Sequence, residues 1–402
     1  GTFFAENRSS DELQELNETV DVDGYIGGDG RVSYHQPAAN QNSPSPSYVA
    51  PPPPPPSRRS SWRPAHRRAG QRGSRLRRET IASSNLSTDY FPRRDAQTLR
   101  GNTVDCTNPL VEHTGIHKGR QALMPDQVMR LTTLTRPKFD IACYDREVDI
   151  VCRSLADHSV WDPKLGEALA WAKQSVRKEQ RPFSAKNVLD LGANVGYFGL
   201  LAAAQGHHAY MFEPLAMNRA LIRQSMCYNK NLGGRVVLLP YGGGEKGICR
   251  LYSSYSNIGD AHTTCDPTFE LTGRYQERGR MQMAPVEGVL GTDIKIFFLK
   301  IDVEGFELNV MKTAANLLRN GNVAFLSSEV ARHMMGDHNV REYLDLLLDA
   351  GFELRLEDFQ GEQIQSQERA FELMNIEHRE YNVFGIHKTW ADVIRANRVA
   401  VQ

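Results

Sequence analysis

Two short acidic motifs carry most of the chemistry that this sequence offers. The first is Asp190-Leu191-Gly192-Ala193-Asn194-Val195-Gly196, which closes an apolar run beginning at Asn187. Gly192 and Gly196 let the backbone turn sharply and approach a ligand at points where a Cβ would clash. Glu213 stands at the end of the next apolar run, about twenty residues beyond the turn, where an acid can accept hydrogen bonds from both hydroxyls of a ribose. A dinucleotide-binding turn has the pattern G-x-G-x-x-G, because a pyrophosphate needs bare backbone amides at a helix N-terminus. Here the third position of that pattern is Asn194, and Asp190 precedes the turn. A carboxylate there would repel a pyrophosphate but pair with an ammonium group. S-Adenosylmethionine has that ammonium and no phosphate, so Asp190, Gly192, Asn194, Gly196 and Glu213 are the candidate residues for holding it.

The second motif is Lys300-Ile301-Asp302-Val303-Glu304-Gly305, which follows the apolar run Phe297-Phe298-Leu299. In an open parallel sheet the carboxyl ends of strands face the ligand crevice. Asp302 and Glu304 are two apart, so in an extended chain both side chains point to one face. Such a pair suits general-base work on a hydroxyl, binding of a substrate hydroxyl, or a divalent cation. The plainer reading has one acid paired with Lys300 or capping a helix that begins near Gly305. His262, in Gly259-Asp260-Ala261-His262, is a further candidate base, weighed against an ordinary surface-loop histidine. No metal ligands are assigned, and dependence on a divalent metal is left open. There is no Cys-x-x-Cys zinc pattern, and His207 and His208, adjacent on a strand, face opposite ways.

These motifs need strands and helices to position them, and the text from Asn187 onward alternates the two. Strands are expected at Asn187–Leu191, His208–Phe212, Val236–Leu239, Ile296–Ile301, Val323–Ser327, Phe352–Leu356 and Val383–His387. Helices are expected at Phe198–Ala204, Met217–Asn229, Leu308–Leu318 and Val340–Ala350. This alternation predicts an α/β fold with a mostly parallel, doubly wound sheet. The last two strands have no long helix between them, which predicts an antiparallel hairpin at one edge. Residues 103–184 read as an N-terminal helical extension, with a helix from Lys164 to Val176, and residues 185–402 as the catalytic domain.

Residues 1–102 differ in kind. Eleven of the twenty prolines fall there, eight acids crowd residues 1–30, and nine arginines crowd residues 57–78. Such a segment buries too little apolar surface to offset the entropy of ordering it, so it is expected to be disordered, with a stiff polyproline spacer at Pro51–Pro56. Acceptor sequons begin at Asn7, Asn17 and Asn85, which fits a glycosylated stem, a membrane anchor upstream of Gly1 and a Golgi or other secretory lumen; a cytoplasmic location is the alternative. The chain carries 48 basic and 48 acidic residues. A formal net charge of zero argues against a general nucleic-acid binder. Six cysteines could pair in an oxidising compartment, with Cys106 to Cys143 or Cys152 the expected bridge, and would be free in a reducing one.

Taken together, DLGANVG, then Phe212-Glu213-Pro214, then KIDVEGFE from Lys300 to Glu307 resemble the FkbM-type S-adenosylmethionine-dependent methyltransferases over about Asn187 to Lys388. The resemblance implies a class I, Rossmann-like sheet of seven strands. It also implies methyl transfer to an oxygen, on a sugar, glycan or small-metabolite hydroxyl. By position, Asp190, Gly192, Asn194 and Gly196 would surround the amino-acid part of the cofactor and Glu213 its ribose, while Asp302 and Glu304 would border the reacting methyl. The sequence departs from the family where Gly288-Val289-Leu290-Gly291 replaces a usual Leu-Asp pair, and an insertion-like stretch, Tyr252–Met283, precedes it. A nucleotide-dependent oxidoreductase and a catalytically inactive adaptor are the competing readings. Oligomeric state has no signal in the sequence.

Overall fold

From Asn187 to Leu239 each apolar run becomes a strand whose residues are almost all buried, as strands covered by helices on both faces are. In the computed structural model of the chain these are β1 (Asn187–Leu191), β2 (His208–Phe212) and β3 (Val236–Leu239), joined through α1 (Tyr197–Ala204) and α2 (Ala216–Tyr228). The structure describes residues 24–26, 32–34, 104–113, 120–176, 186–271, 273–373 and 380–399. The chain divides into two units, residues 1–82 and 83–402. In the first, Gly24–Ile26 pairs antiparallel with Val32–Tyr34. The other expectations for residues 1–102, among them the polyproline spacer, the arginine run and the three sequons, lie outside the described residues.

After β3 the chain leaves the main sheet and builds a second one. Its strands are β4 (Tyr241–Gly243), β5 (Gly247–Ser254), β6 (His262–Thr264) and β7 (Tyr275–Ala284), ordered β4-β7-β5-β6. The stretch that looked like an insertion is therefore a small sheet, stapled by a Cys249–Cys265 disulfide. The chain then returns through β8 (Ile296–Ile301), β9 (Val323–Ala331), β10 (Phe352–Leu356), β11 (Gln363–Ile364) and β12 (Glu380–His387).

The main sheet has eight strands in the order β11-β10-β12-β9-β8-β1-β2-β3. It is parallel from β3 through β9, and β12 runs antiparallel to both β9 and β10. Two expectations need correction. The count is eight rather than seven, because Gln363–Ile364 folds back onto Leu354 and Arg355. The last two long strands do pair antiparallel at one side of the sheet, but β11 and a helix at Gln367–Leu373 intervene, so they are not a simple hairpin, and β12 lies between β9 and β10. Its Val383, Phe384 and Ile386 are buried, and an inner position gives such residues neighbours on both sides.

The helix expected over Leu308–Leu318 is broken into Glu307–Lys312 and Ala315–Arg319. The Glu287 carboxylate accepts from the amides of Asn316 (2.6 Å) and Leu317 (2.9 Å), satisfying donors that a helix start leaves orphaned. Residues 103–184 are not purely helical. Val111–His113 pairs with Arg120–Ala122 and Met129–Thr132 with Asp140–Cys143, before helices at Ile150–His158 and Pro163–Ser175. The second helix carries Pro163 at its first turn with Asp162 as N-cap, a start that proline's fixed φ favours. The Cys106 pairing is also corrected. Cys106 bonds to Cys227 in the last turn of α2, while Cys143 and Cys152 are free and buried. The reason is packing: Ala142 and Asp140 donate their amides to Ser225 and Asn229 at the end of α2, which draws that helix against the N-terminal segment.

A candidate active site at the strand ends

Beyond the carboxyl ends of β1, β2, β3 and β8 lies a cleft. Gly192, Asn194, Glu213, Asp302 and Glu304 line it from the main sheet. Gly259, Asp260, Ala261, Thr263, Met281 and Met283 line it from the second sheet and its loop, with Gly242 and Gly243 between.

The glycine turn is shaped by the strands around it. Gly192 has φ +81°, and a Cβ there would sit 1.7 Å from the Asp302 carbonyl oxygen. The amide of Asp302 in turn donates to the Leu191 carbonyl at 3.1 Å. The room left by the missing side chain is thus filled by the neighbouring strand end, while the turn itself still faces the cleft. Gly196, at φ +90°, is needed for packing, since its Cβ would lie 2.7 Å from Ile222 of α2. Asn194 takes a left-handed conformation at φ 51°. Its amide donates to Glu213 at 2.7 Å, and its side-chain oxygen is buried without a hydrogen-bond partner.

Glu213 is the hub on this side. One carboxylate oxygen accepts from Asn194 and the other from the Leu215 amide, both at 2.7 Å, so the acid fixes the turn and the start of α2 together. Burial pushes its pKa up to about 7, against the Leu215 and Asn194 amides and the Arg219 guanidinium, which favour the charged form. Each oxygen retains a lone pair for a further donor.

Asp190 is fully buried and does not line the cleft. It accepts from the Gly199 amide at 3.0 Å, and its other oxygen lies 3.6 Å from Lys300 Nζ. Lys300 donates to the Gly192 carbonyl at 2.7 Å and sits 3.1 Å from Asp302 Oδ2. Burial alone would lower the lysine's pKa, but the Asp302 and Asp190 carboxylates outweigh it and hold it above the usual value. Lys300 therefore ties the glycine turn, β1 and Asp302 into one ionic knot. The plainer sequence reading of one acid paired with Lys300 describes Asp302.

Asp302 and Glu304 both reach the cleft, but for a reason other than strand alternation. Strand β8 ends at Ile301, and Glu304 and Gly305 turn with φ 54° and 88°. Glu307 holds that turn by accepting from the amides of Val303 (3.1 Å) and Gly305 (3.2 Å). Burial, then hydrogen bonding with Asp260 and the nearby Asp302, Asp260 and Glu329 carboxylates, pushes the Glu304 carboxyl far above the usual range. His262 lies on β6 rather than on a free loop, with Nδ1 3.9 Å from Glu304 Oε2. Its ring packs beside Tyr252 and Tyr275.

Residues before the main sheet position this wall. Asp149 caps the Ile150–His158 helix through the Cys152 amide, and its second oxygen accepts from the Gly259 amide at 3.0 Å. Asn218 of α2 donates to the Gly259 carbonyl at 2.9 Å and accepts from the Tyr144 hydroxyl at 2.7 Å. The loop carrying Asp260 is thereby clamped from both sides. Sequence reasoning missed Gly242 and Gly243, although a glycine triplet directly after the third strand was a usable signal. Asp149 carried none, because it meets Gly259 across 110 residues of sequence.

With this geometry in view, comparison with known proteins is informative in one respect. Residues 190–354 match the methyltransferase FkbM domain. No curated protein sequence matches the chain. Among solved structures, Trm5b from Pyrococcus abyssi is similar at 10% identity and a TM-score of 0.31, over 68% of this chain and 61% of that one. The Thermus thermophilus 16S rRNA N2 G1207 methyltransferase, in complex with AdoMet and guanosine, shares 10% identity with a TM-score of 0.33, over 68% of this chain and 54% of that one. A TehB-like SAM-dependent methyltransferase from Corynebacterium glutamicum shares 10% identity with a TM-score of 0.32, over 59% of this chain and 94% of that one. The chain thus spans less than two thirds of the first two.

Proposed function

We propose that the chain transfers the methyl group of S-adenosylmethionine to a hydroxyl of a sugar, glycan or small metabolite. The observation that carries this reading is the convergence in one cleft of the Gly192–Asn194 turn and Glu213 on one side with Asp302 and Glu304 on the other. Glu213 would hold the ribose, and the Gly192–Asn194 turn would border the cofactor's amino-acid part. Phe306 and Val310, which follow β8, give an apolar wall suited to the purine. Asp190 would act from beneath the turn, through Gly199 and Lys300.

The sulfonium methyl is already activated, so the protein must align the acceptor in line with it, about 3 Å away, and ease its deprotonation. Asp302 is the carboxylate placed for that, while Glu304, with His262 beside it, is held protonated and is placed to donate a hydrogen bond to the acceptor. A cleft lined by Glu213, Asp260, Asp302 and Glu304 is poorly suited to a polyanionic acceptor, whose phosphates these acids would repel. The disulfides Cys106–Cys227 and Cys249–Cys265 support an oxidising compartment. No helix among the described residues is long and apolar enough to cross a membrane.

The test is methyl transfer from labelled S-adenosylmethionine to extracted glycans and small metabolites, with the product identified. Asp302→Asn and Glu304→Gln are each expected to lower turnover about a hundredfold, within the usual range for a lost acid or base, with cofactor affinity kept. Full turnover in both variants would overturn the catalytic assignment, and absence of cofactor binding by calorimetry would overturn the whole reading.

A further inference from the structure

Asp260, His262 and Glu304 form a group of a different kind from the ion pair at Lys300. Each offers one ligating atom, and these atoms all lie within 4.8 Å of one another. Asp260 and His262 come from one stretch, the Gly259–Ala261 loop and the start of β6, and Glu304 from the turn after β8. Asn257 donates to Asp260 Oδ2 at 2.8 Å and so fixes that carboxylate's orientation. The other oxygen, Oδ1, is out of contact with solvent, and the Glu304 carboxyl can hydrogen-bond with Asp260 only by keeping a proton between the two acids. A buried carboxylate oxygen without a donor is costly unless a proton or a cation satisfies it. His262 is the one imidazole in the group, and its Nδ1 is turned toward Glu304. The loop bearing Asp260 is held at Gly259 by both Asp149 and Asn218, which makes the arrangement preorganised.

We infer that Asp260, His262 and Glu304 bind one divalent cation of the Mg²⁺/Mn²⁺ class, which receives an acceptor that presents two neighbouring oxygens. Two carboxylates and one imidazole supply hard oxygen donors and a single nitrogen, and no thiolate, which suits Mn²⁺ or Mg²⁺ better than a soft metal. Three protein ligands leave the remaining positions of a six-coordinate ion for water or substrate. A vicinal diol or a hydroxy acid can fill two of them. Its bound hydroxyl would then pass its proton to the Asp302 carboxylate more readily, because the cation stabilises the alkoxide. Asp302, tied to Lys300, stays outside the triad. The role in acceptor binding rests on the methyl-transfer reading above, whereas the cation site itself does not.

The experiment uses the full chain, stripped with chelator and titrated with MnCl₂ while the electron paramagnetic resonance signal of free Mn²⁺ is followed. One Mn²⁺ per chain is expected to be taken up, with competition by Mg²⁺. His262→Ala and Asp260→Asn should weaken uptake about tenfold or more, and Asn257→Ala, which frees the Asp260 carboxylate, by a similar factor. Thermal unfolding of each variant shows that it is folded. Calorimetric titration with S-adenosylmethionine runs in parallel, so failure of the cofactor reading appears separately from failure of the metal site. Absence of stoichiometric uptake by the folded protein overturns the inference. So does uptake that His262→Ala and Asp260→Asn leave unchanged, or uptake of Zn²⁺ with none of Mn²⁺. If methyl transfer occurs and chelator leaves it unaffected, the cation's part in acceptor binding is overturned.

Discussion

The two walls of the cleft are built on opposite principles. On the main-sheet side, position is fixed by backbone. Gly192 lies against the Asp302 carbonyl, Glu213 is held by two amides, and Lys300 joins three elements beneath the turn. On the other side a small mixed sheet, closed by a disulfide and clamped at Gly259, presents partly exposed polar side chains. The first wall can accept almost no change in shape. The second can vary its side chains while its framework stays. On the proposed reading, a donor common to a whole reaction class belongs on the rigid wall and the particular acceptor reaches the variable one.

The sharpest way to break the comparison is Gly192→Ala. Its Cβ would meet backbone, which cannot move aside as a side-chain tip can, at a φ that only glycine adopts freely. Strain and overpacking together should cost about 3 kcal/mol or more, read as a large fall in thermal stability with loss of cofactor binding. A smaller loss would mean that the turn is not locked. Cys265→Ser tests the opposite wall. The Cys249–Cys265 bridge spans a sequence separation of 16, for which the chain-entropy model gives about 3 kcal/mol as an upper figure. Acceptor turnover should fall while S-adenosylmethionine affinity stays, and equal loss of both would dissolve the division between the walls.

Glu213→Gln should weaken S-adenosylmethionine about tenfold, or about 1.4 kcal/mol, since an amide cannot accept on both sides as the carboxylate does. The smallest expected effect is with pH. Folded Glu213 titrates at about 7, above its ordinary value, so the fold disfavours its charged form. Its contribution to stability is full below its unfolded pKa and fades as pH rises through about 7. Cofactor affinity should move the other way, strengthening about threefold from pH 6 to pH 8 as the stronger, charged acceptor forms. Calorimetry across that range checks it, and the Glu213→Gln variant should give a flat profile.

Much of the main-sheet wall was legible before the structure. Runs such as Asn187–Leu191 and Ile296–Ile301 become strands because burial on both faces demands continuous apolar sequence, and the acids that close them fall at strand ends. Asp190 shows the limit. Its place beside the glycine turn was plain, yet its direction, into the sheet toward Gly199 and Lys300, depends on which strand pairs with β1. The second sheet was legible only as an interruption, because β6 is wholly polar and β5 and β7 bury alternate residues over only part of their length.

The sequence by itself determined the alternating strands and helices, the glycine turn and the acids at Glu213, Asp302 and Glu304, because local periodicity and turn chemistry act over a few residues. The tertiary structure alone decided that Asp149 grips Gly259, that Cys106 meets Cys227, and that Asp260 and His262 stand beside Glu304. Those contacts join segments far apart in the chain, and only the packing of the second sheet and the N-terminal segment against the main sheet brings them within reach.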